Sequence, residues 1–322
     1  MTHTATAVDT RGSATRAART TTRRNPSQRR AARRQALIGW AFVLPFAVVF
    51  AVFLVAPLVY AFYLSLFTKG LATGTQFSLA GNYVQAFTDP AFLKGLWFVV
   101  RFVVVLIPVQ MAVSLAAALV LDAITTRFAR FARLTIFLPY AVPAVIGALM
   151  WGFLYSPIFG PTQQLAALVG ANAPVLLGPD TIFGSLVNVV TWQWAGYYMI
   201  IIYAALQGVD ATIYEAARID GANAWQLAFR IKVPMVANSL VLILVFALIG
   251  TLQFFSEPQI LRPIANGSIT PDFTPNIYAY NVAFSYAQFN YASAISFALG
   301  FVVFLCVFVF LFFTRKRGSV FA

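Results

Sequence analysis

The sequence predicts an all-α polytopic membrane protein with six transmembrane helices, and three observations carry that prediction. Mean hydropathy is +0.80 and only 10% of the 322 residues are charged, where soluble domains carry about 25%. A hydrocarbon core about 30 Å thick needs roughly 20 apolar residues in helical form, and six runs qualify, at about 37–67, 96–121, 134–156, 182–207, 236–256 and 290–314. Basic residues mark alternate connections: Arg127, Arg130 and Arg133, then Arg218, Arg230 and Lys232, then Arg315, Lys316 and Arg317. The other connections hold only Lys69, Lys94 and Arg262, offset by Asp89, Asp180, Glu257 and Asp272. Positive residues stay on the cytoplasmic side, so both termini are expected in the cytoplasm of a multi-pass cell-membrane protein.

The elements follow in order. Residues 1–35 hold nine arginines between Arg11 and Arg34 against one acid, Asp9, among Thr, Ala and Ser. Such a segment cannot bury a core and is expected to be a disordered arm, drawn to anionic headgroups rather than to nucleic acid. Residues 36–322 are expected to form one transmembrane domain that holds all six spans. The first span contains Pro45 and Pro57 and is longer than a bilayer requires. Arg101 lies about one turn inside the second span and is expected to snorkel outward. Pro108, Pro139 and Pro143 are expected to kink spans two and three around a cavity. The connections at about 68–95, 157–181 and 257–289 carry Gly and Pro turn signals and leave no room for a large external domain.

Chemistry of its own is excluded on composition. The lone cysteine, Cys306, sits in an apolar run, and the lone histidine, His3, in a polar tail, so neither a metal site nor a general base is in view. No GxxxxGK[ST] occurs, and none of the four lysines, Lys69, Lys94, Lys232 and Lys316, follows a phosphate-cradling loop. Active transport through this chain would draw its energy from elsewhere.

The connection from Glu215 to Pro234, EAARIDGANAWQLAFRIKVP, is polar and rich in helix formers, with Gly221 permitting a sharp turn between two helical stretches. Pro234 suits the first turn of a new helix. Glu215 and Asp220 are candidates for contacts with a partner's arginine or for capping within the loop. Glu215, Ala216, Ala217, Asp220, Gly221, Ala222, Ile231, Val233 and Pro234 together resemble the EAA loop of binding-protein-dependent ABC importer permeases, with Phe229 one position off the pattern. RLTIFLPYAVPAVIGALMWGFLYSP (133–157), the stretch 187–222 and FNYASAISFALGFVVFLCVFVF (289–310) are similar to the carbohydrate-uptake branch, which includes maltose, lactose and glycerol-phosphate permeases.

That resemblance implies the type I ABC importer permease fold with a cytoplasmic coupling helix. It implies partners too: a second homologous permease, an ATPase dimer that holds ATP and Mg, and an extracytoplasmic sugar-binding protein, with no cofactor on this chain. It also places substrate contacts on the fourth and fifth spans, at Trp194, Tyr197, Gly250, Thr251, Gln253 and Phe254, and the amide of Gln193 beside them is a candidate by residue type. Flat rings stack on pyranose faces and amides reach hydroxyls, yet the same residues suit helix packing and interfacial belts. Another small polar solute (amino acid, metal or peptide), or a stand-alone carrier, are the competing readings.

Overall fold

The computed structural model describes residues 26–316 apart from 71–73, 125–126, 159, 169 and 171–173, in two units, Met1–Val59 and Tyr60–Ala322. In the first, α1 (Pro26–Phe50) passes through a π turn at Ala51–Val55 into α2 (Ala56–Ser65), whose end belongs to the second unit. Leu37–Ser65 is one apolar stretch of 29 residues. Its large side chains from Leu37 to Tyr60 are exposed, an apolar surface all round that suits lipid. Most of the predicted arm lies outside the described residues, but 26–35 is helical. Pro26 opens the helix and Gln, Arg and Ala continue it, all good helix formers once a span extends them.

The second unit opens with an antiparallel pair, β1 (Phe67–Gly70) and β2 (Gly74–Phe77), with Phe67 opposite Phe77. Helices α3 (Gly81–Thr88), α4 (Pro90–Ala123), α5 (Arg127–Ala141), α6 (Ala144–Leu154), α7 (Pro161–Leu168) and α8 (Ile182–Gln207) follow. The loop of interest comprises α9 (Ala211–Ile219), α10 (Ala224–Gln226), a π segment at Leu227–Lys232 and α11 (Val233–Met235). Then come α12 (Ala237–Leu252), α13 (Ser256–Leu261) with a 3-10 turn at Arg262–Ile264, α14 (Pro275–Phe284) and α15 (Phe289–Lys316).

Among the described residues, five stretches are long and apolar enough to cross a bilayer: Leu37–Ser65, Pro90–Ala123, Ile182–Gln207, Ala237–Ile264 and Phe289–Thr314. The third predicted span is instead a bent pair, Ala129–Ala141 and Ala144–Leu154, at 98°. Pro143 lacks an N–H and disfavours helix at Val142, so the chain breaks there. Pro108, by contrast, sits inside α4 without interrupting it, and the expected kink does not become a break. The fifth span runs past the predicted end at 256 through a short irregular stretch at Gln253–Phe255 into α13.

Helices α4 and α8 form the centre of this unit. Two buried polar groups bond between them: Gln110 Nε2 donates to Val190 O at 3.3 Å, and Ser114 Oγ to Ala195 O at 3.0 Å. Gly196 lets α8 approach α5 so closely that a Cβ there would lie 1.9 Å from Ile136 O, the close backbone approach that small residues allow between membrane helices.

Polar clasps gather the helix ends at two places. At the start of α4, Asp89 caps the helix by accepting from Ala91 N–H at 2.9 Å, and its Oδ2 accepts from the Tyr278 and Tyr291 hydroxyls at 2.6 Å each. Burial pushes the Asp89 carboxyl up, but these hydrogen bonds prevail and hold it below its ordinary value. Lys94 pairs with Asp272 at 2.8 Å, and Asn290 Nδ2 donates to Leu64 O at 3.0 Å. At the far end of α4, Asp122 accepts from Gln207 Nε2 at 2.7 Å and pairs with Lys232. Ends of alternate segments thus meet at separate ends of α4, the arrangement that a chain threading a bilayer back and forth produces.

Candidate functional site

Two sites emerge, one at the Asp122 end and one among the spans. At the Asp122 end, α9 begins at Asp210, whose carboxylate accepts from Thr212 N–H at 2.9 Å. That bond holds its carboxyl below the usual value. The helix closes on a left-handed residue, Gly221 at φ +84°. Gly221 N–H donates to Arg218 O at 3.1 Å and Ala222 N–H to Ala217 O at 2.9 Å, the paired closure in which glycine avoids the Cβ clash. Asn223 then caps α10 reciprocally with Gln226, both bonds 2.9 Å, a capping box. The capping that Glu215 or Asp220 was a candidate for falls to Asp210 and Asn223, while Asp220 occupies the C-cap of α9.

Within this loop Ala217 is buried and Ala222 half-buried, while Glu215, Ala216, Asp220 and Gly221 face outward. So do three large apolar side chains: Ile219 is 86% exposed, Trp225 73% and Phe229 50%. Trp225 stacks on Phe229 at 5.0 Å between centroids. A groove of about 580 Å³ lies alongside, lined by Asp122, Arg218, Trp225, Phe229 and Lys232 among others. Beneath it, the buried Lys232 ammonium reaches Asp122 and sits 5.0 Å over the Tyr214 ring. Burial and then the Asp122 charge push the Tyr214 hydroxyl pKa up.

The second site is a cavity of about 430 Å³ among α4, α5, α6, α8, α12 and α13. Trp194, Tyr197, Gly250, Thr251, Gln253 and Phe254 all line it. Gln193 does not. It is buried, and its Nε2 donates to Val142 O at 3.1 Å, which satisfies a carbonyl at the α5–α6 break. The irregular stretch between α12 and α13 also borders the cavity. Non-helical backbone at membrane depth is tolerated where it lines a cavity or is buried in protein, so both breaks fall where physics allows them.

Gln110, Tyr140, Tyr198 and Glu257 also line the cavity. Tyr140 stacks on Tyr197 at 4.5 Å and 17°, and Trp194 on Tyr198 at 6.1 Å and 27°. Gln110 was visible as the one amide in an apolar run, but nothing local says which way it points. Glu257 was read as lying beyond the fifth span. The continuation into α13 instead carries it into the apolar stretch, where it is 7% exposed. Arg101 is exposed, with its guanidinium 5.9 Å from the centre of the Trp97 ring, away from the cavity lining.

Comparison with known proteins places this arrangement. The lactose transport system permease protein of Rhizobium radiobacter is 30% identical over 282 residues, covering 87% of this chain and 94% of its own length. The diacetylchitobiose uptake system permease protein of Streptomyces coelicolor is 28% identical over 264 residues, covering 78% and 74%. The crystal structure of a bacterial ABC transporter involved in the import of the acidic polysaccharide alginate superimposes with a TM-score of 0.78 at 20% identity. It covers 89% of this chain and 98% of the matched one, so the fold is that of an ABC importer permease. Residues 113–316, which include both sites except for Leu106 and Gln110, match the family described as binding-protein-dependent transport system inner membrane component, and to that family of membrane transport permeases this chain belongs.

Proposed function

We propose that this chain is the permease subunit of an ATP-driven sugar importer, with the 430 Å³ cavity on the solute's path and the loop from Glu215 to Pro234 as its ATPase-docking surface. The observation that carries the reading is convergence. Residues from two separate spans, Trp194 and Tyr197 on one and Gly250, Thr251, Gln253 and Phe254 on the other, meet at a single cavity lined by rings and amides. Such a mixture suits a small polyhydroxylated solute. Relatives named for lactose and diacetylchitobiose transport support the same class.

In this reading both termini and the loop lie in the cytoplasm, as the basic clusters favour. The chain holds no nucleotide; ATP and Mg belong to a dimeric ATPase on another polypeptide. A second permease completes the pathway, and an extracytoplasmic binding protein delivers sugar. The exposed Ile219, Trp225 and Phe229 supply an apolar contact of the kind that interfaces bury at their centre, with the charged Glu215, Arg218 and Asp220 exposed on the same loop. ATP-driven movement of α9 would reach the spans through Lys232 and Asp122.

Reconstitution with the neighbouring permease, ATPase and binding protein tests this. Glu215→Lys and Gly221→Pro should leave the chain in the membrane yet abolish ATP-dependent sugar uptake. Normal uptake by both variants, or uptake by the purified chain alone, would refute it.

A further inference from the structure

Among the described residues lining the 430 Å³ cavity, Glu257 alone is charged; no lysine, arginine or histidine joins it there. It is 7% exposed, and among the described residues its carboxylate meets only its own backbone N–H. A buried carboxylate is costly unless donors satisfy it, and the lining offers no cation to do so. The other polar side chains of the lining, Gln110, Thr251, Gln253, Ser256, Trp194 and the tyrosines, are neutral. The aromatic side chains pair face to face, Tyr140 with Tyr197 and Trp194 with Tyr198. Those faces are turned to each other instead of forming an open cage for a cation.

From this we infer that Glu257 sets solute class: the cavity accepts an uncharged sugar whose hydroxyls donate to the carboxylate, and it turns away sugars that carry a carboxylate or phosphate. The inference rests on the sugar reading and sharpens it. An acidic sugar would set a second negative charge beside Glu257 in a weakly screened site with no cation between them. A neutral one supplies the missing donors.

The test is equilibrium binding to the complete permease–ATPase assembly in nanodiscs, with the binding protein omitted so that the cavity alone selects. The probes are lactose, maltose, diacetylchitobiose, the aldonic acid of each, and choline. At least one neutral disaccharide should bind, with its aldonic acid at least about tenfold weaker. Glu257→Gln should weaken the neutral sugar by about ten- to a hundredfold, as expected for hydrogen bonds to a charged group, and narrow the gap to the acid. Glu257→Asp should restore most of the affinity. Unchanged neutral binding in Glu257→Gln, or an acid binding wild type as tightly as its parent, overturns this inference and leaves the sugar reading standing. The acid-against-parent comparison needs no variant, so it holds even if Glu257→Gln fails to assemble. Binding of choline in place of every sugar, or of no probe at all, overturns both.

Discussion

Removing the ammonium from Lys232 is the sharpest perturbation the loop offers. The Lys232 and Asp122 side chains are 9% and 6% exposed, so Lys232→Met leaves a buried carboxylate with Gln207 as its one remaining side-chain donor. Breaking a buried pair from one side costs about 3–5 kcal/mol, and the lost contact with the Tyr214 ring adds up to about 2 kcal/mol. At about 1.4 kcal/mol per decade, the first term alone raises the population of the detached loop by roughly a hundred- to several-thousandfold. The pair ties the loop to the end of α4, so amide exchange across 211–236 in detergent reads its local opening. Exchange there should accelerate by that factor while α4 and α8 stay protected. The double variant Lys232→Met with Asp122→Leu should recover much of the loss, since apolar replacement of a whole buried pair is often neutral. Exchange slower than tenfold above wild type in the single variant, or no recovery in the double, would refute the assignment of the pair as the loop's anchor.

Other outcomes follow from individual geometries. Gly196→Ala places a Cβ 1.9 Å from Ile136 O and should separate α8 from α5, lowering the midpoint of thermal unfolding in detergent; an unchanged midpoint would contradict the close approach. Gly221→Ala meets no neighbour but forces a side chain to φ +84°. It should destabilise the α9 end by about 1–2 kcal/mol, read by amide exchange of Ala222. Asp89 is held below its ordinary carboxyl value by the Tyr278 and Tyr291 hydroxyls. Its contribution is therefore complete above about pH 4 and fades as pH falls through the lowered folded value. Asp89→Asn should flatten that acid limb in a melting-against-pH series, and an identical limb would exclude Asp89 as its source. Trp194→Ala and Tyr197→Ala should slow uptake without changing the binding protein's sugar affinity; unaltered transport kinetics would remove them from the pathway.

Much of the architecture was legible from hydropathy alone, because burial in lipid leaves a long uniform signal. The turn at Gly221 was legible too, since its closing bond reaches only three positions back, whereas the caps, sought at Glu215 or Asp220, fall to Asp210 and Asn223. The angle at Val142–Pro143 was not. Pro143 announced a disturbance, but the 98° turn is set together with the backbone of α8 at Gly196 and the amide of Gln193, some fifty positions distant. The same distance hid the role of Gln193 itself, which pattern alone assigned to solute and the fold gives to a carbonyl. Tyr140 and Gln110 entered the cavity from helices that were read for their apolar length and their prolines, neither of which brings these two side chains together. Glu257 was placed beyond the bilayer because the fifth apolar run was ended at 256, and only the renewed helix carries it back.

The unbroken course of α4 has a mechanical consequence. At 1.5 Å per residue its 34 residues make a strut about 51 Å long, moored by tyrosines at one tip and by a lysine at the other. Tilting such a strut by one degree displaces its far tip by roughly 0.9 Å. A nudge of a few degrees at Lys232 would thus arrive at Tyr278 as a shift wider than a hydrogen bond tolerates, opening one mooring as the other is pulled.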